Sequence, residues 1–265
     1  MKGIILAGGT GTRLLPSTAI TSKQLLPVYD RPMIFYPLNT LLQAGITEIL
    51  IIVSPHHSGN YLNLLGSLLQ EHGIRISFIV QKEPRGLAEA YILARDFLDN
   101  DSSTLILGDN IFESNIVEAV SSFSTGGLIF AKKTPNPERF GVVEFNEKGK
   151  VISIEEKPTK AKSDYAIPGV YIFDNQASVI ASSLSPSNRG EFEITDIQRE
   201  YLSKGELEVK IMEGGWFDTG THDSLLDASL FVREKKLTQK FQPILNIAIE
   251  KFNGEFKRIT SIKKV

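Results

Sequence analysis

The chain contains no cysteine, a single tryptophan, three methionines and four histidines among its 265 residues. Without cysteine there is no disulfide, no thiolate nucleophile and none of the common sulfur-bearing zinc sites, and the absence fits a reducing compartment. Charge of one sign is missing as well. Lys and Arg total 29 against 31 Asp and Glu, a net charge of −2, with the basic residues scattered along the chain. A nucleic-acid-binding face needs a concentrated basic stripe, so no nucleic-acid partner is expected. No apolar run approaches the roughly 20 residues of a membrane span. Met1-Lys2 leads straight into an apolar segment and a polar glycine loop instead of a leader, so a cytoplasmic protein with no membrane partner is expected. The remaining composition, 42% apolar and 23% charged, is that of a soluble globular fold with ample core.

The first half alternates two periodicities. Short β-branched or leucine-rich runs at Gly3–Leu6, Glu48–Val53, Ile74–Val80 and Thr104–Leu107 read as strands. Between them Pro32–Ala44, Asn60–Leu69 and Gly86–Leu98 space their apolar residues three and four apart, as helices do. This alternation predicts a doubly wound α/β sheet with ligands at the carboxyl ends of its strands. After residue 126 closely spaced strands follow at Gly127–Lys133, Gly141–Phe145, Val151–Glu155 and Gly169–Phe173, read as antiparallel additions to the same sheet. Glu234 to Lys240 reads as a charged helix end or connector. Phe241–Val265 has no clear period and fits either a strand pair or a helix packed back on the core. No linker, repeat or low-complexity segment divides the chain, so one continuous unit is expected.

The most informative stretch is Leu6-Ala-Gly-Gly-Thr-Gly-Thr-Arg-Leu14, followed by Ser22-Lys-Gln-Leu-Leu-Pro27. Gly8, Gly9 and Gly11 leave a buried strand and let backbone N–H groups approach an anion, while Arg13 and Lys23 add two positive charges. The loop is not a dinucleotide fingerprint: Leu14 stands where the third glycine belongs, and no acidic residue ends the second strand. It is not a P-loop either, because no Gly-Lys-Ser/Thr follows at the right spacing.

Three further constellations are ambiguous singly. Leu107-Gly-Asp-Asn110 places a carboxylate at a strand end, where Mg²⁺ would find oxygen ligands, but the same residues favour a plain turn. Asp218, in Trp216-Phe-Asp-Thr-Gly-Thr221, is a second carboxylate, or belongs to a helix N-cap region with Thr221 or Asp223 as the cap. Glu155-Glu-Lys-Pro158 closes a strand and points its lysine into a loop, and by itself reads as a solvated charge cluster.

Taken together, Gly8-Gly-x-Gly-Thr-Arg-Leu14 with Lys23-Gln-Leu-Leu-Pro27, Asp109, Glu156-Lys-Pro158, Arg189-Gly-Glu-Phe-Glu-Ile-Thr-Asp196 and Asp218-Thr-Gly-Thr-His-Asp223 resemble the signature of the sugar-phosphate nucleotidylyltransferases. The match is nearest to the glucose-1-phosphate thymidylyltransferase branch and covers about residues 1–233 in unbroken order. The resemblance implies a Rossmann-like doubly wound mixed sheet with a sugar-binding lobe. It divides that span into a nucleotide-binding half at about 1–126 and a sugar-binding part at about 127–233, with 234–265 a divergent tail. It also implies the reaction: a nucleoside triphosphate and a sugar 1-phosphate give a nucleotide-sugar and pyrophosphate. Positioning and charge neutralisation then carry the catalysis, and no enzyme nucleophile is needed.

Roles follow from the same resemblance. Gly8, Gly9, Gly11 and Thr12 would hold the triphosphate through backbone N–H groups. Arg13 and Lys23 would stabilise charge on it, and Lys157 would neutralise the sugar phosphate. Asp109 and Asp218 would bind Mg²⁺. Gln81 and Gly86 would receive the base, since an amide can both donate and accept, as a thymine or uracil edge requires. Asn110, Gly141, Glu156, Val170 and Glu191 would contact the sugar phosphate. The expected substrates are dTTP, or UTP, and glucose 1-phosphate or a related sugar phosphate. A non-catalytic nucleotide-sugar-binding protein would have lost Arg13, Lys23, Asp109, Lys157 or Asp218, and all five are present. Two departures stand out. Phe140 replaces the tyrosine of many long-form relatives, and Phe241–Val265 does not resemble the extension that helps build their regulatory site and tetramer. A homo-oligomer is nonetheless expected.

Overall fold

The computed structural model describes residues 1–66, 73–243, 245, 246 and 250. Its centre is a ten-stranded sheet. Four strands are parallel, in the spatial order Ser103–Leu107, Lys2–Ala7, Glu48–Val53, Arg75–Val80. The Lys2–Ala7 strand is covered on both faces, which is why it reads as a continuous apolar run. Ile5 and Ala7 point into one core layer with Ile49, Ile51 and Leu41, whereas Ile4 and Leu6 point into the other with Leu50, Ile52 and Tyr91. Each fully buried Ile or Leu contributes about 1.5–3 kcal/mol.

Beyond Ser103–Leu107 the sheet turns antiparallel through Val170–Phe173 and Gly127–Lys133, then continues through Tyr165–Ala166, Gly141–Phe145 and Val151–Glu156. These are the expected antiparallel additions, and they share one sheet with the first half. Leu207–Ile211 was not expected. It runs parallel to Gly127–Lys133, and its charged alternation (Leu-Glu-Val-Lys-Ile) leaves every residue at least partly exposed, so it lacks a buried strand's signature.

The helices are shorter than their periodicity suggests. Phe35–Gln43 forms within Pro32–Ala44, because Arg31–Pro32 pairs instead with Pro27–Val28. Ser58–Leu65 overlaps the expected Asn60–Leu69 and begins two residues before it, and the last residues of that range lie outside the described ones. Gly86–Leu98 yields two pieces, Glu89–Leu93 and Arg95–Leu98. Gly86 cannot begin a helix, since its φ is +112° and the chain around it is tied elsewhere. Ala88 N–H donates to the Phe192 carbonyl (3.0 Å), and Phe192 N–H donates to the Arg85 carbonyl (2.7 Å). The connector expected at Glu234–Lys240 comprises the end of the His222–Lys235 helix and a 3₁₀ turn at Leu237–Lys240. Phe241 and Leu245 join the core, Phe241 edge-on to Tyr36, and most of Phe241–Val265 lies outside the described residues.

The chain passes from Lys2–Ala7 to Glu48–Val53 on one side, then returns to place Ser103–Leu107 on the other. The carboxyl ends of Lys2–Ala7 and Ser103–Leu107 therefore flank a topological switch point, where open α/β sheets bind ligands. The glycine loop leaves one of these ends and Asp109 follows the other.

Candidate active site

Close approach is built into the glycine loop. Gly11 sits in the left-handed region at φ +66°, where Thr18 Oγ1 donates to its carbonyl (2.8 Å). The Thr12–Leu14 3₁₀ turn follows, anchored by the fully buried Leu14. At Gly9 a Cβ would meet no atom within 4 Å, so the backbone there is open to a ligand. At Gly8 a Cβ would collide with Gln81 Oε1. Gly8 thus lets the Gln81 side chain lie against the loop. Gln81 enters from the end of Arg75–Val80, two strands away in the sheet, its own N–H bonded to the Val53 carbonyl (2.9 Å).

A two-stranded ladder brings the two aspartates together. Trp216–Asp218 pairs antiparallel with Asn110–Phe112, placing Asp218 opposite Asn110. Thr219 locks the register, since both its N–H (3.1 Å) and Oγ1 (2.8 Å) donate to the Asp109 carbonyl. The helix cap is Thr221, in a capping box with Ser224, which leaves Asp218 free of that duty. Arg13 reaches the same spot: a Cβ at Gly220 would lie 2.7 Å from its Nη2 and 3.0 Å from Asp218 Oδ1.

Lys23 and Asp109 form a buried ion pair. Asp109 Oδ1 also accepts from Asn110 Nδ2 at 2.9 Å. Burial pushes the Asp109 carboxyl up, yet Lys23 and these hydrogen bonds reverse that and hold it below the ordinary carboxylate range. The Asp218 carboxyl goes the other way. Burial and then the Asp109 charge raise it, against Lys23, Arg13 and Arg139. Two carboxylates that repel across one ladder, with oxygen donors only, suit a hard divalent cation. Among the described residues no third His, Cys, Asp or Glu completes a metal cage. A cation held by these two carboxylates would take its remaining ligands from water and substrate phosphates.

Two clefts meet at Asp109. One, about 290 Å³, is lined by Gly9, Thr10, Lys23, Gln24, Gln81 and Gly86. The other, about 310 Å³, is lined by Arg13, Arg139, Gly141, Glu156, Lys157 and Trp216 among others. They share Leu87, Leu107, Asp109 and Glu191. Lys157 projects into the second cleft from a backbone at φ +40°, held by its N–H to the Phe140 carbonyl at 3.0 Å. Glu156 lies 3.9 Å from Lys157 Nζ and 3.6 Å from Arg189 Nη1. Burial raises the Glu156 carboxyl and the Glu193 charge raises it further, with Lys157 and Arg189 opposing. Gly141 opens this wall, since a Cβ there would press on Thr195 Cγ2 (3.0 Å) and approach Glu156 Oε2 (3.6 Å).

The structure gathers nearly every expected residue around these clefts. Thr12 is exposed on the turn beside Arg13, and Glu191 sits where the clefts join. Asn110 lines the second cleft and is tied into its wall: its Oδ1 accepts from Trp216 Nε1 (2.7 Å) and Gly169 N–H (3.1 Å), and its Nδ2 donates to Asp109. It braces the wall and the carboxylate together. Val170 stands back from the lining, fully buried in its strand with its N–H donated to the Pro168 carbonyl (2.7 Å), while Gly169 and Tyr171 beside it face the cavity. At Gly86 a Cβ would collide with the Phe192 backbone, so this glycine first serves the chain crossing described above. Phe140 packs on Trp216, ring centroids 4.8 Å apart, in the second cleft.

Sequence reasoning missed Arg139, Glu193, Thr195 and Gln198, all lining the second cleft. Both amide atoms of Gln198 are buried without a hydrogen-bond partner among the described residues, and the Thr195 side chain lies against Glu156, whose carboxyl it helps to lower. Their helix, Ile194–Ser203, is strongly amphipathic in sequence, which assigns such residues to an inner face but not to a cavity. Glu193 and Thr195 at least fall inside the Arg189–Asp196 motif.

The described geometry agrees with what the chain resembles. The nucleotidyl transferase profile matches residues 2–235. A glucose-1-phosphate thymidylyltransferase of Neisseria meningitidis serogroup A is 51% identical over 239 residues, 88% of this chain and 83% of the relative. One from Mycolicibacterium smegmatis is 50% identical over 244 residues, 90% and 84% of the two chains. Among solved structures, a Bacillus anthracis chain assigned as a glucose-1-phosphate thymidylyltransferase, in complex with sucrose, superposes with a TM-score of 0.83 at 45% identity, covering 88% of this chain and 95% of that one. A UDP-glucose pyrophosphorylase complexed with UDP-glucose shares the fold, with a TM-score of 0.77 at 23% identity over 88% of this chain and 98% of that one. With the profile spanning both halves of the sheet and relatives about half identical across them, the chain belongs to the nucleotidyl transferase family.

Proposed function

We propose that the chain transfers a thymidylyl group from dTTP to α-D-glucose 1-phosphate, releasing pyrophosphate and giving dTDP-glucose. The observation that carries this reading is the pair of clefts joined at Asp109, with Lys23 on one side and Lys157 on the other. One triphosphate and one sugar phosphate are both anions, and their approach needs a cation on each. The specific substrates are those of the thymidylyltransferases described above.

The reaction is an in-line displacement. An oxygen of the sugar phosphate attacks the α-phosphorus, and the bond to the pyrophosphate oxygen breaks. Positioning and charge stabilisation are the protein's share. The glycine loop presents backbone to the triphosphate, and Arg13 and Lys23 counter charge gathering on the leaving pyrophosphate. Lys157 neutralises the attacking phosphate, and Glu156 accepts hydrogen bonds from sugar hydroxyls. Asp109 and Asp218 would hold Mg²⁺, which when bound supplies Lewis-acid stabilisation of phosphate charge. Gln81 would face the base. Thymine and uracil present it with the same hydrogen-bonding edge, so UTP is the natural competitor. The deciding experiment is steady-state pyrophosphate release with dTTP and UTP against a panel of sugar 1-phosphates. The highest kcat/KM is expected for dTTP with glucose 1-phosphate, and a higher value for UTP or another sugar would replace that assignment.

The Glu156 environment adds a pH dependence. Its raised pKa means that the charged form needed to accept sugar hydroxyls is lost earlier than usual as pH falls. In Glu193→Gln a source of that elevation is removed, so the acid limb of kcat/KM for the sugar phosphate should move to lower pH. An acid limb that stays put would exclude Glu156 as the titrating group or Glu193 as its modulator.

A further inference from the structure

We propose that Glu89 sets base selectivity in the nucleotide cleft by locking the side-chain amide of Gln81 in one orientation. The inference rests on the reading that Gln81 faces the base. An amide is nearly symmetric in shape but opposite in hydrogen bonding, and turning it over exchanges donor for acceptor. A freely turning glutamine would therefore serve a 4-oxopyrimidine, which has an N3–H donor, as well as a 4-aminopyrimidine, which has an N3 acceptor. Selectivity requires a neighbour that tolerates only one orientation.

Glu89 is that neighbour. Gln81 and Glu89 are each 3% exposed, and Gln81 Nε2 donates to Glu89 Oε2 at 2.7 Å. A carboxylate accepts and does not donate. Turning the amide over would press Gln81 Oε1 against Glu89 Oε2, two acceptors about a hydrogen-bond length apart, too close to admit a water between them. Arg85 holds the carboxylate in place. Its backbone N–H donates to Oε2 (3.1 Å), its Nε donates to Oε1 (2.8 Å), and its Nη2 lies 2.6 Å from Oε1. Gly8 fits the same orientation, because it leaves room for Gln81 Oε1 against the loop where any Cβ would collide. The amide so fixed has Oε1 and one N–H left for a ligand. A pyrimidine with N3–H and a 4-oxo group satisfies both. A 4-aminopyrimidine turns both bonds into clashes of like with like, and a site built on such bonds rejects the mismatched partner strongly. Glu89 touches no substrate in this scheme and is a positioning residue.

The test compares kcat/KM for dTTP and dCTP, by pyrophosphate release with saturating glucose 1-phosphate, in the parent enzyme and in Glu89→Gln. The new amide can donate as well as accept, so it tolerates a turned Gln81. The dTTP-to-dCTP ratio is expected to fall tenfold or more. Both rates come from one preparation, so loss of folded protein cancels in the ratio, and Glu89→Met gives the same readout should Glu89→Gln not fold. A ratio within fivefold of the parent would overturn the role of Glu89. Gln81→Leu separates the two levels: if it lowers kcat/KM for dTTP while the Glu89 variants keep the ratio, base reading stands and orientation by Glu89 falls. If Gln81→Leu leaves dTTP turnover unchanged, Gln81 does not face the base and both fall.

Discussion

Lys23→Ala is expected to damage folding and turnover together. The Lys23 side chain is 11% exposed and that of Asp109 is 16% exposed, so the ion pair lies largely out of water. Removing the cation alone leaves a buried carboxylate beside Asp218, whose own carboxyl the Asp109 charge already raises. Breaking a buried pair from one side costs about 3–5 kcal/mol, most of it the penalty of the stranded charge. Denaturant unfolding should show that loss as a lower midpoint. The double variant Lys23→Met with Asp109→Asn removes both charges, and it should recover most of the stability while remaining inactive. Recovery of stability without turnover separates the structural role of the pair from the role proposed for it at the phosphates. A Lys23→Ala protein as stable as the parent would show that Asp109 finds another partner and that the buried pair is not what holds the two strand ends together.

The same pair shows what sequence could and could not reveal. The parallel half was legible because Ile4, Leu6, Ile5 and Ala7 face two core layers, and burial on both sides writes an unbroken apolar run. The position of the glycine loop at a strand end, and hence at the switch point, followed from that run. The antiparallel half was legible from its spacing, except for Leu207–Ile211, an edge strand whose exposed charges carry no core pattern. Asp109 and Asp218 are 109 positions apart. Nothing local announces that Asn110–Phe112 and Trp216–Asp218 pair, and only the resemblance of their motifs suggested a common site. Residues that act by orienting others were the hardest to see. Glu89 looks like one charge on a helix face, and Asn110 like a turn former. Their roles depend on Gln81, Trp216 and Gly169, which the fold supplies from distant strands and loops.

Lys157 gives the second large effect, with the opposite stability signature. It holds φ +40°, a region in which a non-glycine residue costs on the order of 1–2 kcal/mol. Its side chain is 45% exposed, and its nearest opposite charge, Glu156, is 3.9 Å away. Stability therefore gains little from a lysine here, and glycine would suit the backbone at least as well. Lys157→Gly is expected to unfold at the same denaturant concentration as the parent or a higher one. Turnover should fall about 10²–10³-fold, the usual loss when one preorganised charge is removed from a transition state. Much of the loss should appear in kcat, since neutralising the attacking phosphate matters most as the two anions close to bonding distance. A strained position occupied by a lysine that only reaches into the second cleft makes sense if the charge serves chemistry. Near-parent turnover in Lys157→Gly would leave the strain without a function and would move the phosphate-neutralising role to another cation lining that cleft, Arg139 or Arg13.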